Sequence, residues 1–81
     1  KPENWDENSV GVDEMVWLES KGYLPKDTHP RHVVNLLRLS PFRPGDALDP
    51  IWFDAYKAAR TEGKDGTIAA AGANAVFFAV P

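Results

Sequence analysis

Residues 28–41, THPRHVVNLLRLSP, decide the fold, because they carry both ends of a helix and an apolar face between them. Pro30 suits the first helical position, where its missing N–H costs nothing, and His29 or Thr28 can cap that end. A proline follows Ser40, which is therefore pushed out of helical geometry. The stretch thus predicts a helix with a defined beginning and a defined end.

The two faces of this helix differ in chemistry. Its apolar face carries Val33, Leu36 and Leu37 at the spacing i, i+3, i+4, widened by Val34 and Leu39. The opposite face carries Arg31, Asn35 and Arg38, with His32 beside them. The helix is therefore the expected packing centre of the chain.

Two further helices are expected, one on each side of the first. The segment before Gly22 has two acids near its start, Asp13 and Glu14, that suit a helix N-terminus. Gly22 can adopt the left-handed conformation that commonly ends a helix. In a Schellman motif Tyr23 would then pack back on Leu18. Asp49, followed by a proline, is the clearest N-cap in the sequence. The fold class is therefore mainly α, with three short helices near 12–21, 30–39 and 50–62, long ordered connectors and an apolar C-terminal segment.

The composition predicts one small domain that spans residues 1–81. A chain this short buries only roughly 60% of its unfolded surface, so its own core is marginal. The sequence has no cysteine, but 43% of its residues are hydrophobic, which is too many for a disordered tail. So many large apolar groups on so short a chain favour a subunit that completes its core on a partner.

Charge is distributed unevenly along the chain. Residues 1–20 carry one lysine against six acids, and residues 21–45 carry five Lys or Arg against one acid. The acidic N-terminal part and the basic middle can attract each other, or each can face a different partner. The net charge of −3 argues against nucleic-acid binding as the main role.

Residues 1–11 are predicted to form an extended or turn-rich arm. The arm is polar apart from Val10 and Trp5, the only aromatic in it. Such a tryptophan anchors the arm onto the body of the same chain or docks into another protein, where tryptophan is a favoured hot-spot residue.

The tail, residues 67–81, contains no charged side chain. It is too short for a full membrane span, which takes about 20 apolar residues. A buried helical or irregular segment, the first half of a span and a strand near Phe77 and Phe78 all fit it. Three helices offer too little surface to cover both their own aromatics and this tail, so we expect a partner or lipid to bury it.

Catalysis and metal binding find little support in the sequence. His29 and His32 lie three residues apart, but a catalytic zinc normally takes three protein ligands. We therefore expect one histidine to cap a helix and the other to face solvent, while a metal- or pigment-binding hairpin is the rival interpretation. The serines lie in no nucleophile elbow, and no phosphate-binding loop occurs. The prediction is a protein that is not an enzyme and binds no cofactor or metal.

The predicted role is a non-catalytic accessory or structural subunit that other protein subunits hold on the surface of a larger assembly. A membrane complex is the leading host, with lipid contact through residues 67–81, and the compartment is not readable from the sequence. A virion or other soluble assembly, or a small nucleic-acid-binding module that uses the basic middle, are the alternatives. The candidate partner-binding residues are Trp5, Arg31, Arg38, Arg43, Phe77 and Phe78.

Overall fold

Four helices, joined by turns and extended connectors, form the chain. The computed structural model describes residues 4–25 and 27–79. The helices are α1 (Val12–Ser20), α2 (Pro30–Leu39), α3 (Pro50–Thr61) and α4 (Gly66–Ala79). No strand occurs in this described part of the chain. The mainly helical class is confirmed, whereas the count of three helices was wrong, because the tail forms a helix rather than an irregular segment or a strand.

The start signals of α2 and α3 act as the sequence predicted. At α2 the His29 Nδ1 atom accepts a hydrogen bond from the Arg31 N–H at 3.0 Å. At α3 the Asp49 Oδ1 atom accepts one from the Ile51 N–H at 2.9 Å. A proline occupies the first turn in each case. Each cap satisfies a backbone donor that the helix itself leaves unpaired, which fixes where the helix begins.

The end of α1 is the predicted Schellman motif. Gly22 adopts a φ of 77°, which a residue with a side chain rarely takes. The Tyr23 N–H donates to the Leu18 carbonyl at 3.0 Å, so the chain reverses directly after the helix. The helix ends at Ser20, one residue before the predicted end.

The start of α4 carries a cap, Asp65, that was not predicted from the sequence. The Asp65 carboxylate accepts a hydrogen bond from the Ile68 N–H at 2.9 Å, and the Asp65 carbonyl accepts one from the Ala69 N–H at 2.9 Å. Just before it, Gly63 takes a φ of 92° and closes α3. A connection of four residues therefore folds α4 back along α3 as a helical hairpin.

The core is rich in aromatic side chains and draws on all four helices, the N-terminal arm and the connector between α2 and α3. It contains Trp5, Leu18, Val33, Val34, Leu36, Leu37, Phe42, Trp52, Phe53, Ala70 and Ala73. Phe42 lies at its middle, with ring contacts to Trp52, Phe53 and Phe77 at centroid distances of 5.3–6.2 Å. The predicted apolar face of α2 is buried, except that Leu39 is 39% exposed. Helix α2 is thus a packing centre, as expected, and the α3–α4 hairpin closes over Phe42 beside it.

Candidate interaction surface

Helix α4 divides into two faces with different surroundings. The face toward the body carries Gly66, Ala69, Ala70, Ala73, Asn74 and Phe77, at the spacing of one helix stripe. Ala69, Ala70 and Ala73 are buried, because small side chains let the backbones of α3 and α4 come close. The inner face is therefore covered by the chain itself.

Polar and aromatic contacts hold this inner face in register. The buried Trp52 Nε1–H donates to the Asn74 Oδ1 atom at 2.6 Å. Phe77 lies edge-on to Phe42 at a centroid distance of 5.3 Å. The expectation that the other helices have too little surface to cover the tail was therefore wrong for this face. Residues 80 and 81 of the predicted tail lie outside the described residues.

The outer face of α4 is exposed, and no charged side chain lies on it. It consists of Thr67, Ile68, Ala71, Gly72, Ala75, Val76, Phe78 and Ala79. Ile68 is 57% exposed, Val76 46% and Phe78 70%. A side chain added at Gly72 would meet no atom of the body within 4 Å. We call these eight residues the outer face of α4, and they form the candidate interaction surface.

The two tail phenylalanines, both predicted to bind a partner, lie in different places. Phe77 is half-buried against the core, whereas Phe78 points outward and touches Phe77 at 5.3 Å between ring centroids. Adjacent helical residues lie about 100° apart around the axis, which is why neighbours in sequence separate here. Of the two, Phe78 is the side chain available to a partner.

Trp5 anchors the arm on the chain's own body. Its side chain is 1% exposed, and its Nε1–H donates to the Phe42 carbonyl at 2.9 Å. Of the two interpretations of this tryptophan, the structure shows the internal anchor. Trp5 is therefore not part of the exposed surface that a partner meets.

Arg38 and Arg31 hold the same arm. The Arg38 Nε–H donates to the Trp5 carbonyl at 2.8 Å, and Arg31 Nε lies 3.9 Å from Glu7 Oε1. The hydrogen bond from the Ser9 hydroxyl, helped by the charge of Arg38, lowers the pKa of the Asp6 carboxyl. The acidic arm and the basic middle thus face each other within one chain. Lys26, another cation of the basic middle, lies outside the described residues.

Arg43 lies in the connector between α2 and α3. Its backbone N–H donates to the Asp46 Oδ2 atom at 2.8 Å, and its carbonyl accepts from the Asp46 N–H at 2.9 Å. Gly45 between them has a φ of 97°, and the chain turns at Pro44 and Gly45. The Arg43 side chain is exposed on a different element from the outer face of α4.

His29 and His32 do not form part of a larger ligand cluster. Their ring centroids are 6.3 Å apart, and the His29 Nδ1 atom is used by the helix cap. Across residues 4–25 and 27–79, no group of three His, Cys, Asp or Glu side chains is placed to hold a metal ion. No helix in the described ranges combines the length and apolar character needed to cross a bilayer.

Tyr23 and Asp54 join the end of α1 to α3. The Tyr23 hydroxyl donates to the Asp54 Oδ1 atom at 2.7 Å. Desolvation is the main cause that raises the pKa of Tyr23 from 10.0 to about 12, and the hydrogen bond and charge of Asp54 add to it. The folded chain therefore favours the neutral phenol more strongly than the unfolded chain does.

A pH dependence of stability follows from this contact. The unfolded phenol ionises near pH 10 and the folded one near pH 12, so the contribution of Tyr23 is complete below pH 10 and disappears by pH 12. We expect wild type to be more stable than Tyr23→Phe below pH 9. The difference, measured by urea unfolding, should shrink as the pH rises from 10 to 12. A difference that stays constant over that range would contradict this account.

Comparison of the chain with protein-family models, with curated proteins and with solved structures finds no match in any of the three. Function is therefore inferred from the chain's own surface and its chemistry.

Proposed function

We propose that this protein is a non-catalytic accessory subunit that packs onto a larger multi-protein assembly through the outer face of α4. The proposal rests on one observation: the outer face of α4 is exposed and carries no charged side chain. Ile68, Val76 and Phe78 are between 46% and 70% exposed, along a helix with no charged residue from Gly66 to Ala79. Soluble monomers rarely leave contiguous apolar surface of this kind in contact with water.

Burial of this face supplies a substantial driving force. A large apolar side chain contributes about 1.5–3 kcal/mol when it moves from water into an apolar contact. Ile68 lies near the middle of the outer face of α4, whereas Val76 and Phe78, two residues apart, lie about 160° from each other at its two edges. A concave partner that wraps around this half of the helix can cover all three. Ala71 and Ala75 lie between them and allow the partner's backbone to approach closely. This combination suits a permanent subunit contact better than a transient encounter.

A membrane complex is the host that this surface favours. Small uncharged residues are the usual contact residues between helices in membranes, and α4 presents them on both of its faces. At 14 residues the helix is about 21 Å long, short of the roughly 30 Å of a bilayer core. The proposed arrangement is a helix that lies against the host's own helices. A soluble assembly such as a virion is the second candidate, favoured by the body of three other helices beneath α4.

The nucleic-acid alternative depends on the basic middle. Arg38 bonds to the Trp5 carbonyl and Arg31 lies beside Glu7, so both cations serve the chain's own arm. No feature of α2 favours a polyanion over this internal pairing.

A charge-insertion experiment tests the proposal. We expect the tagged wild-type chain, expressed in the cells it comes from, to co-migrate on native gels with a complex far larger than its own 9.0 kDa. The double change Val76→Asp/Phe78→Asp should move it to the position of the free chain, because two buried carboxylates without partners are costly. Both side chains are exposed in the free chain, so the fold should survive.

The control carries the same charges on another helix. Val12 and Val16 of α1 are 78% and 56% exposed, so Val12→Asp/Val16→Asp matches the change in number and chemistry. The control should stay in the large complex. Equal loss from both double variants, or a wild-type chain that migrates alone, would refute the proposal. Resistance of the complex to alkaline carbonate extraction separates a membrane host from a soluble one.

A further inference from the structure

A groove lies away from the outer face of α4, between the connector after α1 and the exposed side of α3. It is an open groove of about 380 Å³, lined by Tyr23, Leu24, Pro25, Tyr56, Lys57, Arg60 and Thr61. Its lining combines aromatic and apolar side chains with two cations. No acidic residue is among those that line it.

Two tyrosines, each backed by a buried ring, form the aromatic part of the groove. Tyr23 stacks on Phe53 at a centroid distance of 5.4 Å and an interplanar angle of 28°. Tyr56 stacks on Trp52 at 5.4 Å and 9°. Phe53 and Trp52 are both fully buried, so the two tyrosine rings rest on a rigid support. Rings held in this way lose little conformational freedom when a ligand covers them.

The cations of the groove come from one side of α3. Lys57 and Arg60 are three residues apart, which places them on the same helix face, and both are exposed. Two acids lie near these cations along the chain: Asp54, which accepts the Tyr23 hydroxyl hydrogen bond at 2.7 Å, and Glu62, which lies 3.7 Å from Lys64 Nζ. Arg60 donates through Nη1 to the Lys64 carbonyl at 2.7 Å and keeps its remaining N–H groups at the surface. Lys57 and Arg60 therefore give the groove a positive edge along α3, while the Asp54 carboxylate lies beside Tyr23.

We infer that this groove binds a short, extended, acidic peptide segment that contains proline, supplied by a partner protein. Aromatic-lined grooves recognise proline-rich segments, because the extended proline helix is already ordered and its rings cover flat aromatic faces. The Lys57 and Arg60 pair complements acidic residues next to the prolines and sets the charge preference. A nucleic acid fits less well, since two cations neutralise few phosphates and affinity for a polyanion grows with their number.

A peptide titration tests the inference. The probe is the acetylated, amidated octapeptide (Pro-Glu)4, added to the full chain at low salt and followed by NMR. We expect fast-exchange shifts concentrated at Tyr23, Tyr56 and the exposed side of α3. The basic peptide (Pro-Lys)4 and the flexible peptide (Gly-Glu)4 should each bind at least about ten-fold more weakly than (Pro-Glu)4. The first lacks the negative charges, and the second lacks the ordered proline rings.

Variants of the chain separate the groove from general charge attraction. The double change Lys57→Glu/Arg60→Glu should weaken binding of (Pro-Glu)4 by about ten-fold or more. Arg31→Glu/Lys64→Glu changes the net charge equally outside the groove lining and should retain affinity within about two-fold. Tyr56→Phe keeps the stacked ring and should fold and bind, whereas Tyr56→Leu should bind weakly while its spectrum stays folded.

Three results would overturn the inference. The first is the absence of any shift at the groove residues up to millimolar peptide. The second is an equal loss of affinity in the two double charge variants, which would mean attraction without a site. The third is tighter binding of a ten-nucleotide oligothymidine at the same residues, which would make the groove an anion site. The test does not involve α4, so its outcome is independent of the proposed subunit contact.

Discussion

Trp5→Ala should destabilise the fold by about 3–5 kcal/mol, the usual cost of removing a buried tryptophan. The side chain is 1% exposed, and its indole satisfies the Phe42 carbonyl at 2.9 Å. The loss of the side chain opens a cavity and leaves that carbonyl without its donor. A domain of this size has little stability to spare, so we expect the variant to be largely unfolded at room temperature by circular dichroism.

A more conservative change separates packing from the hydrogen bond. Trp5→Phe keeps most of the apolar volume but has no N–H, so it should cost less than Trp5→Ala and still unfold cooperatively. Arg38→Gln, which weakens the hold on the Trp5 carbonyl, should be milder again because that contact is partly exposed. If Trp5→Ala unfolds at the same urea concentration as wild type, the arm is not part of the core.

Trp52→Ala should cost a similar amount, about 3–5 kcal/mol, and should release α4 from α3. Trp52 is fully buried and bonds to Asn74 at 2.6 Å. Asn74→Ala tests this hydrogen bond more directly, since it leaves the Trp52 N–H buried without an acceptor at a cost of about 1–3 kcal/mol. Hydrogen exchange should then show faster amide exchange across α4 than across α2.

A double-mutant cycle checks this assignment. Trp52→Phe removes the N–H, so Asn74→Ala should cost much less in the Trp52→Phe background than in wild type. Urea unfolding of the four proteins gives the coupling. Equal costs in both backgrounds would mean that Asn74 stabilises α4 through another contact, such as its amide N–H to the Leu39 carbonyl at 3.4 Å.

Local signals in the sequence predicted most of the helix boundaries. Three signals each act within one turn of the chain, so no tertiary information is needed to interpret them: Asp49 before a proline, Gly22 after a helical run and Ser40 before Pro41. Asp65 is the same kind of signal and would have revealed α4. Two features of the sequence conceal this signal. Gly66, which follows Asp65, is a poor helix former, and residues 69–73, which are alanines and one glycine, show no polar face.

Side-chain placement was harder to predict than helix position. The sequence names both Phe77 and Phe78 as candidate partner-binding residues, yet the direction of a helix stripe depends on which neighbour packs against it. Here α3 offers Trp52, whose indole N–H selects Asn74, and that contact turns Phe77 inward and Phe78 outward. Arg31 and Arg38 likewise carry charges that fit either a partner or the arm, and only the chain's three-dimensional path brings Glu7 and Trp5 to them.

The anchor of the arm also bears on how the chain acquires its structure during synthesis. Trp5 is bonded to the carbonyl of a residue 37 positions later, so its site does not exist until Phe42 has left the ribosome. Local helices close within microseconds, whereas a contact of this separation waits for the intervening chain. Trp5 thus becomes ordered only after a later part of the chain has been made, and until then an exposed tryptophan followed by acids is available to chaperones.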